Sequence, residues 1–113
     1  MSTVKPAIEE VKARNGFVTL FCCGDATKNI ELMMQCGPDG IAFDEQVSLS
    51  AARELSCKYN VAVEGNLHLT TTLLFGSPWE CAEDARRCLQ EGGAKGFILS
   101  PGCDIPFDTP EYN

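Results

Sequence analysis

Two cysteines that stand beside glycines are the side chains of this sequence best suited to chemistry. Cys23 precedes Gly24, and Cys103 lies between Gly102 and Asp104. A thiolate sulfur is both a nucleophile and a good zinc ligand. The chain has seven cysteines, an odd number, and it opens like a polar helix rather than an export signal. We therefore expect reduced thiols or metal ligands, not a framework of disulfides.

The other candidates for chemistry are acidic, amide and hydroxyl side chains and the single histidine, most of which follow short apolar runs. In parallel α/β proteins such positions share one rim, because the loops after the strands point to the same end of the sheet. Besides the two cysteines, this predicted rim contains Asp44, Glu45, Glu64, Asn66, His68, Ser100 and Asp104. Asp44 is predicted either to orient a substrate or to cap the turn that follows it. Asn66 and Asp104 are predicted to bind substrate, with turn formation as the alternative for Asn66.

The remaining five cysteines are expected to pack as small apolar residues. Those on predicted helix faces are Cys36, Cys57, Cys81 and Cys88. Because side chains alternate along a strand, Cys22 is expected to face a helix layer while Phe21 and Cys23 share the other face.

Predicted helices and strands alternate along the whole chain. Short apolar runs that end in turn residues predict strands, and apolar residues at helical spacing predict helices. The predicted elements are a helix over 3–14, strands over 17–23, 40–45, 61–65 and 96–102, and a helix before each of the last three strands. The sharpest signal is Ser77-Pro78-Trp79-Glu80, which has the serine cap, early proline and glutamate of a helix start.

This alternation predicts an α/β fold of four parallel strands in a single domain over residues 1–113. Four such strands leave two edges without partners. We therefore expect half of a (β/α)8 TIM barrel, with strands missing before residue 1 and a closing helix missing after Asn113. A complete, doubly wound sheet is the alternative that spacing leaves open.

Five segments resemble, in order, the uroporphyrinogen decarboxylase superfamily, and more narrowly its methylcobamide:coenzyme M methyltransferases and related corrinoid-dependent enzymes. They are Phe21–Gly24, Ile41–Glu45, Glu64–Asn66, Leu74–Pro78 and Leu99–Cys103. The glycine and proline turns within them are common, so the specificity lies in the ordered set. The resemblance covers nearly the whole chain and implies the C-terminal half of such a barrel.

The resemblance also implies a catalytic zinc held by a His-x-Cys-Gly strand end and a later Pro-Gly-Cys. Cys23 and Cys103 match the two cysteines, but Phe21 stands at the histidine position and cannot bind a metal. Since catalytic zinc takes about three protein ligands, His68 is the candidate for the third, and rim carboxylates are the alternatives. Zinc would lower the pKa of a thiol substrate, whose thiolate would then take a methyl group from a corrinoid on a separate carrier protein.

Two other functions stay open at the level of the sequence. Uroporphyrinogen decarboxylation is one, although its substrate bears many carboxylates, which call for clustered basic residues, and those of this chain fall mostly on predicted helices. The second is a catalytically inactive half-barrel that serves as a structural or interaction module. Its edges would be closed by the missing N-terminal barrel half or by a second copy in a homo-oligomer.

The charge and hydrophobicity of the chain exclude other classes of partner. A net charge of -7, from 16 acidic and 9 basic residues, argues against binding to nucleic acid. The sequence has no apolar run near the length of about 18 residues that a membrane helix needs. We therefore expect a cytoplasmic protein.

Overall fold

Helices and strands alternate in the computed structural model, which describes residues 3–113. The elements are α1 (Val4–Ala13), β1 (Thr19–Cys22), α2 (Ile30–Gln35), β2 (Gly40–Phe43), α3 (Leu49–Tyr59), β3 (Ala62–Leu67), a short π-helix (Leu69–Leu74), α4 (Pro78–Gly92) and β4 (Phe97–Pro101). All four predicted strands are present, with bounds shifted by up to two residues. The π-helix was not predicted.

The four strands form one parallel sheet in the order β1-β2-β3-β4. The register places Phe21 beside Ala42 and Ala42 beside Glu64. A sequential order is that of a barrel wall, whereas a doubly wound sheet reverses its order at a switch point. The doubly wound alternative is therefore wrong for residues 3–113, in which β1 and β4 each pair on one side only.

The hydrophobic core lies between the sheet and the helices. Ile41 and Phe43 of β2 and Val63 of β3 are at most 1% exposed. They pack with buried side chains of α2 and α3, among them Met34 and Leu49. Full burial of one such side chain contributes about 1.5–3 kcal/mol, so this layer fixes the strands in register.

Local signals set where the helices start. Ser77 Oγ accepts a hydrogen bond from the Glu80 backbone N–H at 3.3 Å, and the Glu80 carboxylate accepts from the Ser77 N–H at 2.7 Å. With Pro78 in the first turn, this is the predicted capping box of α4. Ser48 caps α3 in the same way through the Ala51 N–H. No helix of the described chain, including the 15-residue α4, is long and apolar enough to cross a membrane.

Of the five cysteines expected to fill space, four are buried or partly buried and one is exposed. Cys36 and Cys88 are buried, and Cys22 packs against the core as predicted. Cys57 is exposed, which corrects the expectation that it packs as a small apolar residue on a helix face. It lies in the last turn of α3 and lines a surface pocket with Asp39, Ala62 and Gly96.

Candidate functional site

Cys23 and Cys103 come together at the carboxyl ends of the strands. Their Sγ atoms are 2.8 Å apart although the residues are 80 positions apart in the chain. Cys23 follows β1 and Cys103 follows β4, the two edge strands of the sheet. Since the two strands lie at opposite edges of the sheet, a loop must cross the ends of the middle strands to bring the two thiols together.

Gly102 makes this crossing possible. Its N–H donates to the Leu67 carbonyl at 3.0 Å, so the chain after β4 runs over the end of β3. A Cβ at this position would lie 2.8 Å from the Glu45 backbone nitrogen and 3.2 Å from the Leu67 oxygen. Only a glycine allows the backbone to pass this close to the ends of β2 and β3, and the crossing delivers Cys103 to the β1 side.

Asp44 holds the loop that bears the other thiol. One carboxylate oxygen accepts from the Gly24 N–H at 2.8 Å, and the second accepts from the Gln46 N–H, also at 2.8 Å. Asp44 thus caps the turn that follows it, which was one of its two predicted roles. The same carboxylate also fixes the residue after Cys23 to the end of β2. Orientation of a substrate by Asp44 stays a prediction.

Glu45 forms a second tether, which the sequence did not predict. Its carboxylate accepts a hydrogen bond from the Leu69 N–H, at the start of the π-helix. The two adjacent carboxylates after β2 therefore hold the loops that follow both neighbouring strands. Asp44 binds the loop after β1, and Glu45 binds the segment after β3. This arrangement makes the rim a connected unit rather than a set of independent loops.

The contact with Cys103 changes the acidity of Cys23. The hydrogen bond with Cys103 is the largest cause that raises the pKa of Cys23, and partial desolvation and the nearby charges of Asp44 and Asp104 add to it. Together they raise the pKa of Cys23 to about 11. At neutral pH Cys23 is therefore held as a protonated thiol.

A concave cavity of about 360 Å³ opens on the face of the sheet opposite the helices. It is lined by Thr19, Phe21, Ala42, Glu64, Ser100, Pro101, Cys103 and Asp104. The Phe21 side chain is 53% exposed, as expected for a residue on the face that Cys23 shares. Two lining residues are acidic and none is arginine or lysine.

His68 lies apart from the thiol pair. Its Nδ1 is 3.0 Å from one Asp84 oxygen, and its backbone N–H donates to the other at 2.7 Å. Burial raises the pKa of Asp84, but hydrogen bonds from His68 and Arg87 outweigh it and leave that pKa below the ordinary value. Within residues 3–113 no group of three or more His, Cys, Asp or Glu side chains is placed to hold a metal. The geometry thus gives no support to His68 as the third zinc ligand.

Asn66 is an internal residue of β3, which corrects its expected place in a turn. It is 1% exposed, and its amide donates to the carbonyls of Asp44 and Val47 at 3.1 and 2.8 Å. Its side-chain oxygen faces the Arg87 guanidinium of α4. Contact with a substrate, as predicted from the sequence, would require this side chain to leave all these partners.

The whole chain, residues 1–113, matches the sequence model of the family described as Uroporphyrinogen decarboxylase (URO-D). The chain belongs to the uroporphyrinogen decarboxylase family. This confirms the resemblance seen in the rim segments.

Three individual proteins that are similar to this chain are described as methyltransferases. The chain is 30% identical over 109 residues to Methylcobamide:CoM methyltransferase MtbA of Methanosarcina acetivorans. It is 29% identical over 99 residues to Methylcobamide:CoM methyltransferase MtaA of Methanosarcina barkeri. A solved structure described as a methyltransferase from Methanosarcina mazei superposes with a TM-score of 0.80 at 25% identity.

The matches cover most of this chain and a minor part of each relative. The match to MtbA spans 96% of this chain and 31% of MtbA. The match to MtaA spans 88% of this chain and 28% of MtaA, and the superposition on the solved methyltransferase spans 96% of this chain and 32% of that structure. The chain is therefore similar to a part of a longer methyltransferase, and that part is matched here by four parallel strands. The expectation of half a barrel fits the number of strands, but in length the chain spans about a third of its relatives.

Proposed function

We propose that this chain forms the thiol-bearing part of a methyltransferase that moves a methyl group from a methylcobamide to a thiol acceptor. The observation that carries the proposal is the Cys23–Cys103 pair, 2.8 Å apart at the strand ends of a family member related to Methylcobamide:CoM methyltransferases. In this proposal the other barrel strands belong to the active enzyme, whichever polypeptide contributes them.

The charge of the cavity favours methyl transfer over decarboxylation of a porphyrinogen. Glu64 and Asp104 are the charged residues among those that line it. A substrate with many carboxylates needs arginine or lysine partners, and in the part of the chain that the structure describes the cavity presents neither. The acidic lining equally disfavours an anionic acceptor at this wall, so the assay must include a neutral thiol.

The described residues do not complete a catalytic zinc site. Such a site takes about three protein ligands and keeps one position open. Cys23 and Cys103 supply two sulfurs, and no third donor joins them in residues 3–113. The aromatic side chain of Phe21 shares the cavity with Cys103 and has no atom to donate. A third ligand would have to come from outside the described residues.

The chain's own contribution in this proposal is to position groups at the barrel mouth. Asp44 and Gly102 fix the two thiol loops, and the concave face leaves room for an acceptor beside them. The corrinoid, carried on a separate protein, supplies the methyl group when it docks over the mouth.

A chimaera tests the proposal directly. In MtbA of Methanosarcina acetivorans, the segment that aligns with this chain would be replaced by residues 1–113. Transfer from methylcobalamin to coenzyme M and to 2-mercaptoethanol would be followed by the absorbance change of the corrinoid. We expect transfer by the chimaera and loss to background in Cys23→Ser and Cys103→Ser. Cys57→Ser, which removes an exposed thiol outside the pair, should retain it.

Two results would contradict the proposal. One is a folded chimaera that transfers no methyl group to either thiol while the parent MtbA is active. The other is a chimaera whose rate is the same with and without the two thiols. Circular dichroism of each variant separates these results from a failure to fold.

A further inference from the structure

The thiol pair has two sulfurs in contact, and no third metal ligand joins them among residues 3–113, an arrangement that suits redox chemistry. We propose that Cys23 and Cys103 form a reversible dithiol–disulfide couple at the mouth of the sheet. Their Sγ atoms are 2.8 Å apart, and no other cysteine lies within hydrogen-bonding distance of either sulfur in residues 3–113. Cys22, the sequence neighbour of Cys23, packs instead toward the helix layer.

Separate anchors hold the two sulfurs before any reaction takes place. The Gly24 N–H is bound to Asp44, which fixes the Cys23 loop to β2. The Gly102 N–H is bound to Leu67, which fixes the Cys103 loop to β3. Because both groups are held in one geometry, closure of the disulfide is an intramolecular step with a high effective concentration.

The pair is also accessible to an oxidant in solution. Cys23 is exposed and Cys103 is partly exposed, while Cys36 and Cys88 are buried. Susceptibility of a thiol to exchange requires access to the attacking reagent. Of the remaining cysteines Cys57 is exposed and lies in α3, outside the thiol pair, and so provides an internal comparison.

A low-molecular-weight disulfide such as oxidised glutathione is the oxidant in this proposal. One thiol of the pair loses its proton to solvent, and its thiolate attacks one sulfur of the glutathione disulfide, which forms a mixed disulfide and releases one glutathione thiolate that takes up a proton. The second cysteine of the pair, as its thiolate, then displaces the other glutathione. The protein loses two hydrogens, the oxidant becomes two molecules of glutathione thiol, and an excess of that thiol reverses both steps.

Oxidation would link the loop after β1 to the crossing after β4. It would also remove both thiols from the cavity, which would switch off methyl transfer. That consequence rests on the proposed function, whereas the couple itself rests only on the geometry of the pair.

The test is an equilibrium titration of the full chain, freed of metal by a chelator, in buffers of oxidised and reduced glutathione. Samples are quenched with acid, alkylated, digested and analysed by mass spectrometry. We expect a Cys23–Cys103 crosslinked peptide that accumulates with the oxidised fraction and disappears in dithiothreitol. Cys23→Ser and Cys103→Ser should lose the crosslink and carry one glutathione on the remaining thiol. Cys57→Ser should titrate like the parent chain.

The parent chain alone can refute the couple, so the conclusion does not depend on folding of the variants. Separate glutathione adducts on Cys23 and Cys103 without a crosslink would overturn it. So would a crosslink of either residue to a different cysteine. A crosslink in the parent chain together with an inactive chimaera would support the couple and contradict the proposed function. An active chimaera without a crosslink in the parent chain would support the proposed function and contradict the couple.

Discussion

Replacement of Gly102 by alanine should separate the two thiols. The new Cβ would lie 2.8 Å from the Glu45 nitrogen, 3.2 Å from the Leu67 oxygen and 3.3 Å from the Asp44 carbonyl carbon. All three are backbone atoms, which cannot rotate away as a side chain would. The crossing must therefore rise by about 0.6 Å to restore ordinary contact. Overpacking of this kind costs about 1–3 kcal/mol of unfolding free energy.

The same displacement moves Cys103, the next residue, away from Cys23. A misplacement of about 1 Å in reacting groups costs up to about 100-fold in rate, so a shift of roughly half that size should slow disulfide closure by about tenfold. The assay is the rate at which the Cys23–Cys103 crosslink forms in Gly102→Ala compared with the parent. Urea unfolding, followed by circular dichroism, measures the stability of the same samples.

Gly37→Ala is the matched control. Gly37 has a φ of +80° and open space around its Cβ position, so alanine there is strained without a steric clash. A non-glycine residue in this conformation costs about 1–2 kcal/mol, which is similar to the cost at Gly102. Gly37 ends α2 and lies outside the rim, so its variant should lose stability and keep the parental crosslinking rate. Equal rates in Gly102→Ala and the parent would refute the crossing as the device that delivers Cys103.

Three further substitutions test other parts of the site. Phe21→His should raise the zinc content of the purified chain, since it places a third donor on the cavity face beside Cys103; metal analysis that finds no increase would argue against a shared face. Asp44→Ala should lower the unfolding free energy by about 1–3 kcal/mol in urea, because two backbone N–H groups lose their acceptor, and it should also slow crosslinking. Ser77→Ala should cost about 1 kcal/mol through the lost helix cap and leave crosslinking unchanged, and a slower crosslink there would mean that α4 positions the pair.

The features that could be predicted from sequence are those encoded by neighbouring residues. The α4 start was predictable because Ser77, Pro78 and Glu80 interact within one turn. The opposite orientations of Cys22 and Cys23 follow from strand alternation alone. The order of the strands in the sheet could not be predicted from neighbouring residues. The prediction of a barrel rather than a doubly wound sheet came instead from the resemblance of the ordered rim segments to a known family.

The features that escaped prediction depend on contacts between distant segments. Asp44 and Glu45 were placed on the predicted rim, but their contacts with backbone N–H groups 20 and 24 positions away could not be predicted from the sequence. Asn66 suggested a turn, yet β3 continues through it and buries its amide against neighbouring carbonyls. His68 suggested a ligand, and its partner Asp84 lies on a helix that the sequence could not place beside it.

Binding of phenylarsine oxide, a trivalent arsenical that bridges two thiols, tests the pairing of Cys23 and Cys103 without any oxidation. Titration of the metal-free chain should show one high-affinity arsenical per molecule. Binding should be lost in Cys23→Ser and in Cys103→Ser and be unchanged in Cys57→Ser. Tight binding that persists in either of the first two variants, or no tight binding in the parent chain, would contradict the account.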